Sequence, residues 1–285
     1  MKEDEKEMSF LDHLEELRWH VIRSLFAILI FMILAFIFNR WIFDNIIFGP
    51  AQPDFLTFRA MCKLGTLIGF EEAMCIEEIP MQIQNRLMTG QFTMALTSSF
   101  IIGLIVAFPY VAWEIWRFIK PGLHANERKY SRGAVSAISV LFFLGVGFGY
   151  YVMCPVSVYF LASFQISDMI RNEFDVVSYV GTVVTLVFGS GLLFQLPVVV
   201  YFLTRVGIVT ADMLRTFRKH AIVVILVIAA VITPPDPISQ TIVAIPLYLL
   251  YEFSIVIARF VERRKAKEEA EEEARDAALQ KTDET

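Results

Sequence analysis

Two acidic segments of the chain have the composition needed to bind a cationic ligand. Glu15 and Glu16 lie in an amphipathic segment near the N-terminus, and Glu127 lies in a loop beside Arg128 and Lys129. A carboxylate can hold a guanidinium group through two parallel hydrogen bonds, so an exposed carboxylate on a basic surface could bind an arginine-bearing peptide. The alternative is an ordinary solvated charge, or an ion pair between Glu127 and its basic neighbours.

One polar side chain, Gln195, interrupts an otherwise apolar segment between Phe194 and Leu196-Pro197. A polar group within a membrane-spanning segment costs free energy unless it forms hydrogen bonds, and such groups are often functional. Gln195 could contact a partner or substrate helix, or it could form an internal helix–helix hydrogen bond. Both interpretations stay open at this point.

The sequence contains none of the motifs expected of an enzyme. It has no HExxH motif, and Ser190 lacks the glycine two positions earlier that a nucleophile elbow requires. The histidines flank apolar segments, which is an ordinary place for them: His13, His20, His124 and His220. We therefore predict a protein that is not an enzyme and that binds no cofactor or metal.

The elements that position these residues are long apolar segments. Of the 285 residues, 56% are apolar and 26 are phenylalanine, and the charges concentrate at the two ends and in two short loops. Backbone in a bilayer must satisfy its own hydrogen bonds, so the fold class is an all-α polytopic membrane protein. Six segments predict transmembrane helices: 21–38, 92–113, 134–154, 176–203, 221–232 and 242–258. Before and after this membrane domain of 21–258 lie an amphipathic lead-in, 1–20, and a charged tail, 259–285.

The distribution of Lys and Arg predicts the orientation of these helices. The loops after the second and fourth segments and the chain after the sixth are rich in basic residues, whereas the connection after the third has only Arg171 and that after the fifth has none. By the positive-inside rule both termini are cytoplasmic. The acidic N-terminus lacks the basic region of a cleavable signal peptide, so we expect the first segment to be retained.

The last two apolar segments are unusually short. Residues 221–232 form a run of 12 uncharged residues, or about 18 Å of helix, whereas a bilayer core is roughly 30 Å thick. A turn rich in proline, Thr233–Gln240, joins them. We expect such a pair either to thin the bilayer locally or to shelter against longer helices.

The long outer loop, 39–91, contains Cys62 and Cys75. This side of the membrane permits disulfides, so the two cysteines could pair or could remain free thiols. Residues 74–87 have the composition of a short surface helix, which would make the loop a cap over the outer face.

Three segments together resemble a known family. They are His13–Arg18 before the first helix, Phe118–Lys129 after the second and Thr233–Gln240 before the sixth. In this order, and on the sides that the charges predict, they resemble TatC, the multi-span core subunit of the twin-arginine (Tat) protein translocase. The resemblance covers essentially the whole chain apart from the tail.

The resemblance implies a receptor for signal peptides with paired arginines, in a system that exports folded proteins across the bacterial cytoplasmic (inner) membrane with the proton-motive force. It implies TatA- and TatB-like single-span partners and self-association in a larger complex within the lipid bilayer, and no nucleic acid. The residues that it assigns to signal-peptide binding are Glu16, Glu127, Arg18, Phe118, Pro121 and Arg128. Those of the short outer hairpin are Thr233, Pro234, Asp236 and Gln240. Gln195 matches a position that is often Glu in relatives, but an amide cannot ionise.

Two rival functions follow from the residues alone. An ion-coupled solute carrier would need buried ionisable residues at mid-depth, and the apolar segments two to five supply none there: 92–113, 134–154, 176–203 and 221–232. A scaffold for a cytoplasmic complex would explain the charged tail but not the outer loop or the short hairpin. Binding of paired-arginine peptides distinguishes the resemblance from both rivals.

Overall fold

The structure is a computed structural model that describes residues 10–69, 74–119, 133–167, 169, 172–232 and 237–283. Most of these residues are helical, and one small parallel sheet joins two three-residue strands. The elements in chain order are α1 Phe10–Ile37, α2 Asn39–Ile42, α3 Leu56–Ile68, β1 Gln82–Gln84, α4 Gly90–Ile119, α5 Ala134–Phe148, α6 Cys154–Ser163, β2 Glu173–Asp175, α7 Val176–Leu193, α8 Leu196–Val206, α9 Ala211–Thr216, α10 Arg218–Ile232 and α11 Pro237–Asp283. They form two compact units, one ending at Gly191 and the other beginning at Leu192.

Five helical segments of the described chain are long and apolar enough to cross a membrane: Glu15–Ile37, Gly90–Ile119, Ala134–Ser163, Val176–Val206 and Gln240–Lys267. The lipid-facing character of the first is evident from Phe26, Ile30 and Ile33, each of which leaves more than half of its side chain exposed. The protein is therefore a multi-pass helical membrane protein. The predicted short segment 221–232 lies within α10, which has 15 residues and spans about 22 Å.

The last helix corrects one prediction. The segment 242–258 was expected to form a second short helix, but α11 is continuous over 47 residues. The apolar run is short because charged residues begin at its C-terminal end, and these charges do not end the helix. Only α10 of the predicted pair is short.

In the first unit, α1 packs against α4 along a close crossing. Gly103 makes this possible: a Cβ atom there would lie 2.6 Å from the backbone nitrogen of Met32 and 3.0 Å from the carbonyl oxygen of Ile28. The two backbones therefore touch directly, as small residues allow between membrane helices. This crossing fixes the start of α1 beside the end of α4.

The third apolar segment, predicted to end at residue 154, continues as a helix beyond Pro155. A π-helical turn, Gly149–Met153, joins α5 to α6, and Pro155 lies in the first turn of α6. Proline has no N–H to donate to the preceding turn, and the carbonyl of Tyr151 accepts a hydrogen bond from the hydroxyl of Thr57 instead. Gly149 lies against α7, since a Cβ there would be 2.8 Å from the carbonyl oxygen of Leu186. The helical path therefore continues to Ser163.

The outer segments between α1 and α4 also differ from expectation. Residues 82–84 form β1, which pairs with β2 in parallel register, and Arg86 donates a 3.3 Å hydrogen bond to Glu173. The short surface helix expected over 74–87 is therefore wrong, because partners in a distant part of the chain offer these residues a ladder of backbone hydrogen bonds. Tyr179 and Tyr150 tether the turn after α2 by donating to the carbonyls of Ile47 and Ile46.

In the second unit, α8 and α10 both pack on α11. Gly207 closes α8 in the left-handed conformation, with φ 86°, which residues with a Cβ rarely adopt. Thr210 caps α9, and the carboxylate of Glu262 accepts a 2.7 Å hydrogen bond from the backbone N–H of Ala211. These contacts hold the polar loop after α8 against α11.

Candidate functional site

A buried carboxylate lies near the end of α4. Glu114 is 1% exposed, five residues before the end of the helix. Its Oε1 accepts a 2.8 Å hydrogen bond from the hydroxyl of Tyr110, one helical turn earlier. Its Oε2 pairs with Nδ1 of His20 on α1. A carboxylate removed from water is tolerated only when hydrogen bonds and an opposite charge compensate it, and these two partners supply that compensation.

His20 connects this buried group to the predicted arginine-binding residue. It is 5% exposed, and its second ring nitrogen, Nε2, lies 3.9 Å from the Oε1 of Glu16, one turn earlier on α1. The side chain of Glu16 is 38% exposed, so its carboxylate is accessible from one side and faces the imidazole on the other. Glu16, His20, Glu114 and Tyr110 thus form one hydrogen-bonded and ion-paired cluster, which we call the α1–α4 cluster.

Phe118 joins the cluster from α4. Its ring meets the ring of His20 edge-on, with centroids 6.1 Å apart. The contact brings two of the segments that carried the resemblance together, because Phe118 is the second residue from the end of α4 and the loop with Glu127 follows directly. Arg18 is exposed on the same helix as Glu16. Pro121, Glu127 and Arg128 lie outside the described residues.

The other predicted site residues lie elsewhere. Gln195 is half-buried at the break between α7 and α8, and its backbone carbonyl accepts the N–H groups of Val198 and Val199. Gln240 on α11 donates a 3.1 Å hydrogen bond to the carbonyl of Leu226 on α10. The remaining hairpin residues, Thr233, Pro234 and Asp236, lie outside the described residues.

Cys62 and Cys75 form a disulfide within the connection between α1 and α4, with Cα atoms 4.3 Å apart. The bond ties the middle of α3 to the segment that leads to β1. Cys154 is a buried free thiol. Within the described ranges, no group of three or more His, Cys, Asp or Glu side chains is arranged to hold a metal ion.

The second unit contains a cluster of the same design. Glu252 on α11 accepts a 3.0 Å hydrogen bond from Tyr248, one turn earlier, and a 2.7 Å hydrogen bond from the guanidinium of Arg218 at the start of α10. In both units a Tyr and a Glu spaced four residues apart contact a nitrogen-bearing side chain from another helix. In the second unit this side chain is Arg218, which is permanently charged, and in the α1–α4 cluster it is His20.

An apolar cavity of about 320 Å³ lies in the first unit between α4, α5 and α7. Its walls are aliphatic and aromatic, and they include Ile102, Phe143 and Val183. Such a cavity fits an apolar side chain or an acyl chain rather than a charged group.

Comparison with known proteins assigns the chain to a family. The sequence profile of the Sec-independent protein translocase protein (TatC) matches residues 12–246. The chain belongs to the TatC family. A TatC protein of Blattabacterium sp. subsp. Periplaneta americana is 41% identical over 266 residues, which are 93% of this chain and all of that protein. The TatC protein of Halalkalibacterium halodurans is 33% identical over 93% of this chain and 94% of its own length.

Solved TatC structures share the fold. A crystal structure of the twin-arginine translocase receptor TatC matches with a TM-score of 0.67 and 29% identity, over 88% of this chain and 99% of its own. A second crystal structure of that receptor, in DDM, matches with a TM-score of 0.68 and 30% identity, over 86% and 99% of the two chains. The family inferred from three segments is thus confirmed, and so is membership of a Sec-independent translocase.

Sequence reasoning missed His20 and Glu114. The predicted second helix stopped at residue 113, so Glu114 was left outside it, and His20 was interpreted as an ordinary interfacial histidine. The two residues are 94 positions apart, and no local pattern pairs them. The one available signal was the spacing of Tyr110 and Glu114, which recurs in Tyr248 and Glu252.

Proposed function

We propose that this TatC-family protein is a receptor that binds signal peptides through their paired arginines and organises the export of folded proteins. The α1–α4 cluster supports the proposal most directly. It presents the partly exposed carboxylate of Glu16 beside His20, whose ring also contacts Phe118 near the end of α4, and Glu127 follows α4 in the sequence. Two carboxylates near one another would hold two guanidinium groups, whose planar forks match carboxylates better than a lysine ammonium does.

The rest of a signal peptide is apolar, and the apolar cavity between α4, α5 and α7 supports a second contact. In this mechanism Glu16 and Glu127 first bind the arginines. The apolar part of the peptide then enters a groove between the membrane helices. Transfer into such a groove is favourable because apolar surface leaves water.

The setting of this receptor follows from the family and the charge distribution. We propose six spans with both termini in the cytoplasm of a bacterium, in its inner membrane, with α10 as the short fifth span. TatA- and TatB-like single-span proteins dock at polar positions such as Gln195 and near α10, where a thinned bilayer lowers the barrier to passage. The proton-motive force drives transport.

The test is a binding measurement on the detergent-solubilised protein. A labelled signal peptide with Arg-Arg is compared with the same peptide carrying Lys-Lys, for the wild type, Glu16→Gln, Glu127→Gln and the double variant. We expect the wild type to prefer the arginine peptide by roughly tenfold or more, because a charged hydrogen-bonded pair contributes about 1.5–3 kcal/mol. The preference should fall in each single variant and vanish in the double variant.

Glu15→Gln is the matched control. Glu15 is the neighbour of Glu16 and is exposed, so the change removes the same charge from the same helix turn. Its preference for arginine should stay close to that of the wild type. Equal capture of the two peptides by the wild type, or a loss in Glu15→Gln as large as that in Glu16→Gln, would contradict the receptor function.

A further inference from the structure

We propose that the α1–α4 cluster exchanges a proton for an arginine: His20 is protonated at Nε2 when Glu16 has no arginine partner, and it releases that proton when a guanidinium group binds Glu16. The inference rests on the proposed function and adds a chemical linkage to it. Arginine binding becomes coupled to pH through one named atom. The coupling requires no rearrangement of the helices.

The hydrogen bonds of the cluster determine which nitrogen titrates. With Glu114 ionised, both of its oxygens are acceptors, so Nδ1 of His20 donates to this buried carboxylate in the neutral and in the charged imidazole. The proton that a histidine gains or loses is therefore the one on Nε2. That atom is the one that lies 3.9 Å from Glu16.

Proton and arginine consequently compete for the same carboxylate. With a proton on Nε2, the imidazolium pairs with Glu16 and satisfies part of its charge. With a guanidinium on Glu16, the same imidazolium would face a second cation across a few ångströms, and this repulsion favours loss of the proton. Binding that releases a proton becomes tighter as the pH rises, so acid should weaken arginine binding.

The other charged groups described near the cluster cannot take the place of His20 in this exchange. Among the described residues, Arg23 on α1 acts electrostatically on Glu114, and Arg117 on α4 acts on Tyr110. Both arginines are exposed and stay charged from mildly acidic to mildly basic pH. Arg23 therefore stabilises the charge on Glu114, and neither arginine can take part in a proton exchange.

The second unit shows what the cluster would be without this property. There a Tyr–Glu pair of the same spacing meets Arg218, whose charge is permanent. An arginine supplies the compensating charge for a carboxylate as well as a histidine does. The two clusters differ in exposure, since the side chain of Glu252 is 31% exposed and Glu114 is buried. They also differ in that His20 can lose a proton, whereas Arg218 stays charged.

The experiment measures protons and affinity together. Isothermal titration of the solubilised protein with the Arg-Arg peptide is carried out at pH 6.5 in buffers of different ionisation enthalpy, and binding is repeated from pH 5.5 to 8. We expect the wild type to release a fraction of one proton. Its affinity should rise roughly two- to fivefold over this range, the contribution of a partly exposed ion pair.

Two substitutions of His20 isolate the titrating atom. His20→Asn places an amide donor where Nδ1 bonds Glu114 but has no Nε2, and His20→Arg supplies a permanent cation as in the second unit. In both variants the proton release attributed to His20 should disappear and the affinity should become flat between pH 5.5 and 8. His20→Arg should also bind the peptide more weakly throughout. His220→Asn, the same change at an exposed histidine, should keep the wild-type profile.

The outcomes separate the two proposals. Proton release and a pH profile unchanged in both His20 variants would overturn the exchange while leaving the receptor function intact. Loss of the profile in His220→Asn as well as in the His20 variants would also overturn it. If the wild type does not prefer Arg-Arg to Lys-Lys at any pH, the receptor function itself fails.

Discussion

The close crossing of α1 and α4 gives the sharpest prediction about stability. Substitution Gly103→Ala places a Cβ atom 2.6 Å from the backbone nitrogen of Met32. The Cβ atom is fixed directly to the backbone of α4, and the nitrogen belongs to the backbone of α1. Neither atom can therefore rotate away as the end of a flexible side chain would. The contact has to lengthen from 2.6 Å to the 3.4 Å of ordinary packing, so the helices must separate locally by about 0.8 Å.

The magnitude follows from two opposing terms. Overpacking of a tight contact costs about 1–3 kcal/mol. Alanine in a helix interior is favoured over glycine by about 0.5–1 kcal/mol. Gly181→Ala on α7 provides a matched control, because a Cβ at Gly181 has no neighbour within 4 Å and the helix preference is the same. The difference between the two variants should therefore equal the overpacking cost, about 1–3 kcal/mol.

Unfolding in increasing mole fractions of sodium dodecyl sulfate, followed by circular dichroism, measures this difference. The same separation should weaken binding of the Arg-Arg peptide, since it moves His20 on α1 away from Glu114 on α4. Gly181→Ala should bind normally. Equal unfolding midpoints for Gly103→Ala and Gly181→Ala would refute the reasoning, because the steric contact would then have no cost.

Three further predictions concern the other elements. Replacing Cys62 and Cys75 with serine should make the outer loop cleavable by protease at lower concentrations, since a disulfide closing a loop of this size contributes about 3 kcal/mol, and the reduced wild type should behave like the double variant. Arg218→Gln and Glu252→Gln should each lower stability by on the order of 1 kcal/mol, and a double-mutant cycle in detergent should show coupling, whereas additive losses would contradict the ion pair. Lengthening α10 by about two helical turns should impair export of a folded reporter without changing peptide binding, and normal export would dismiss bilayer thinning.

The predictable part of the fold is the part encoded in contiguous apolar residues. The first four segments were identified from the sequence because a bilayer requires long uncharged runs, and the structure has a spanning helix over each. The ends of these helices were less predictable. Charged and polar residues such as Glu114 continue the helix once a partner on another helix compensates them, so an apolar run underestimates helix length.

Pro155 departs from the sequence-based expectation for a related reason. It follows a π-helical turn, and the carbonyl of Tyr151, four residues before it, accepts a hydrogen bond from the hydroxyl of Thr57. Sequence alone favours a helix end at such a residue because proline lacks the N–H group. The contact of Gly149 with α7 holds the wider turn, and that contact joins residues nearly forty positions apart.

The candidate site was predictable in its residue types but not in its partners. Glu16 and Phe118 were found because they lie in recognisable segments, whereas the buried pair that orients them joins residues 94 positions apart. Glu16 lies in the amphipathic lead-in, and its contact with His20 could not be inferred from the periodicity of that segment. A carboxylate on an exposed helix face would be an ordinary solvated charge, but one that shares an imidazole with a buried glutamate has a second, competing partner. In the proposed exchange the affinity for arginine depends on how readily that imidazole loses its proton, and for this reason the substitution of one buried histidine should alter the pH dependence of arginine binding at a surface carboxylate.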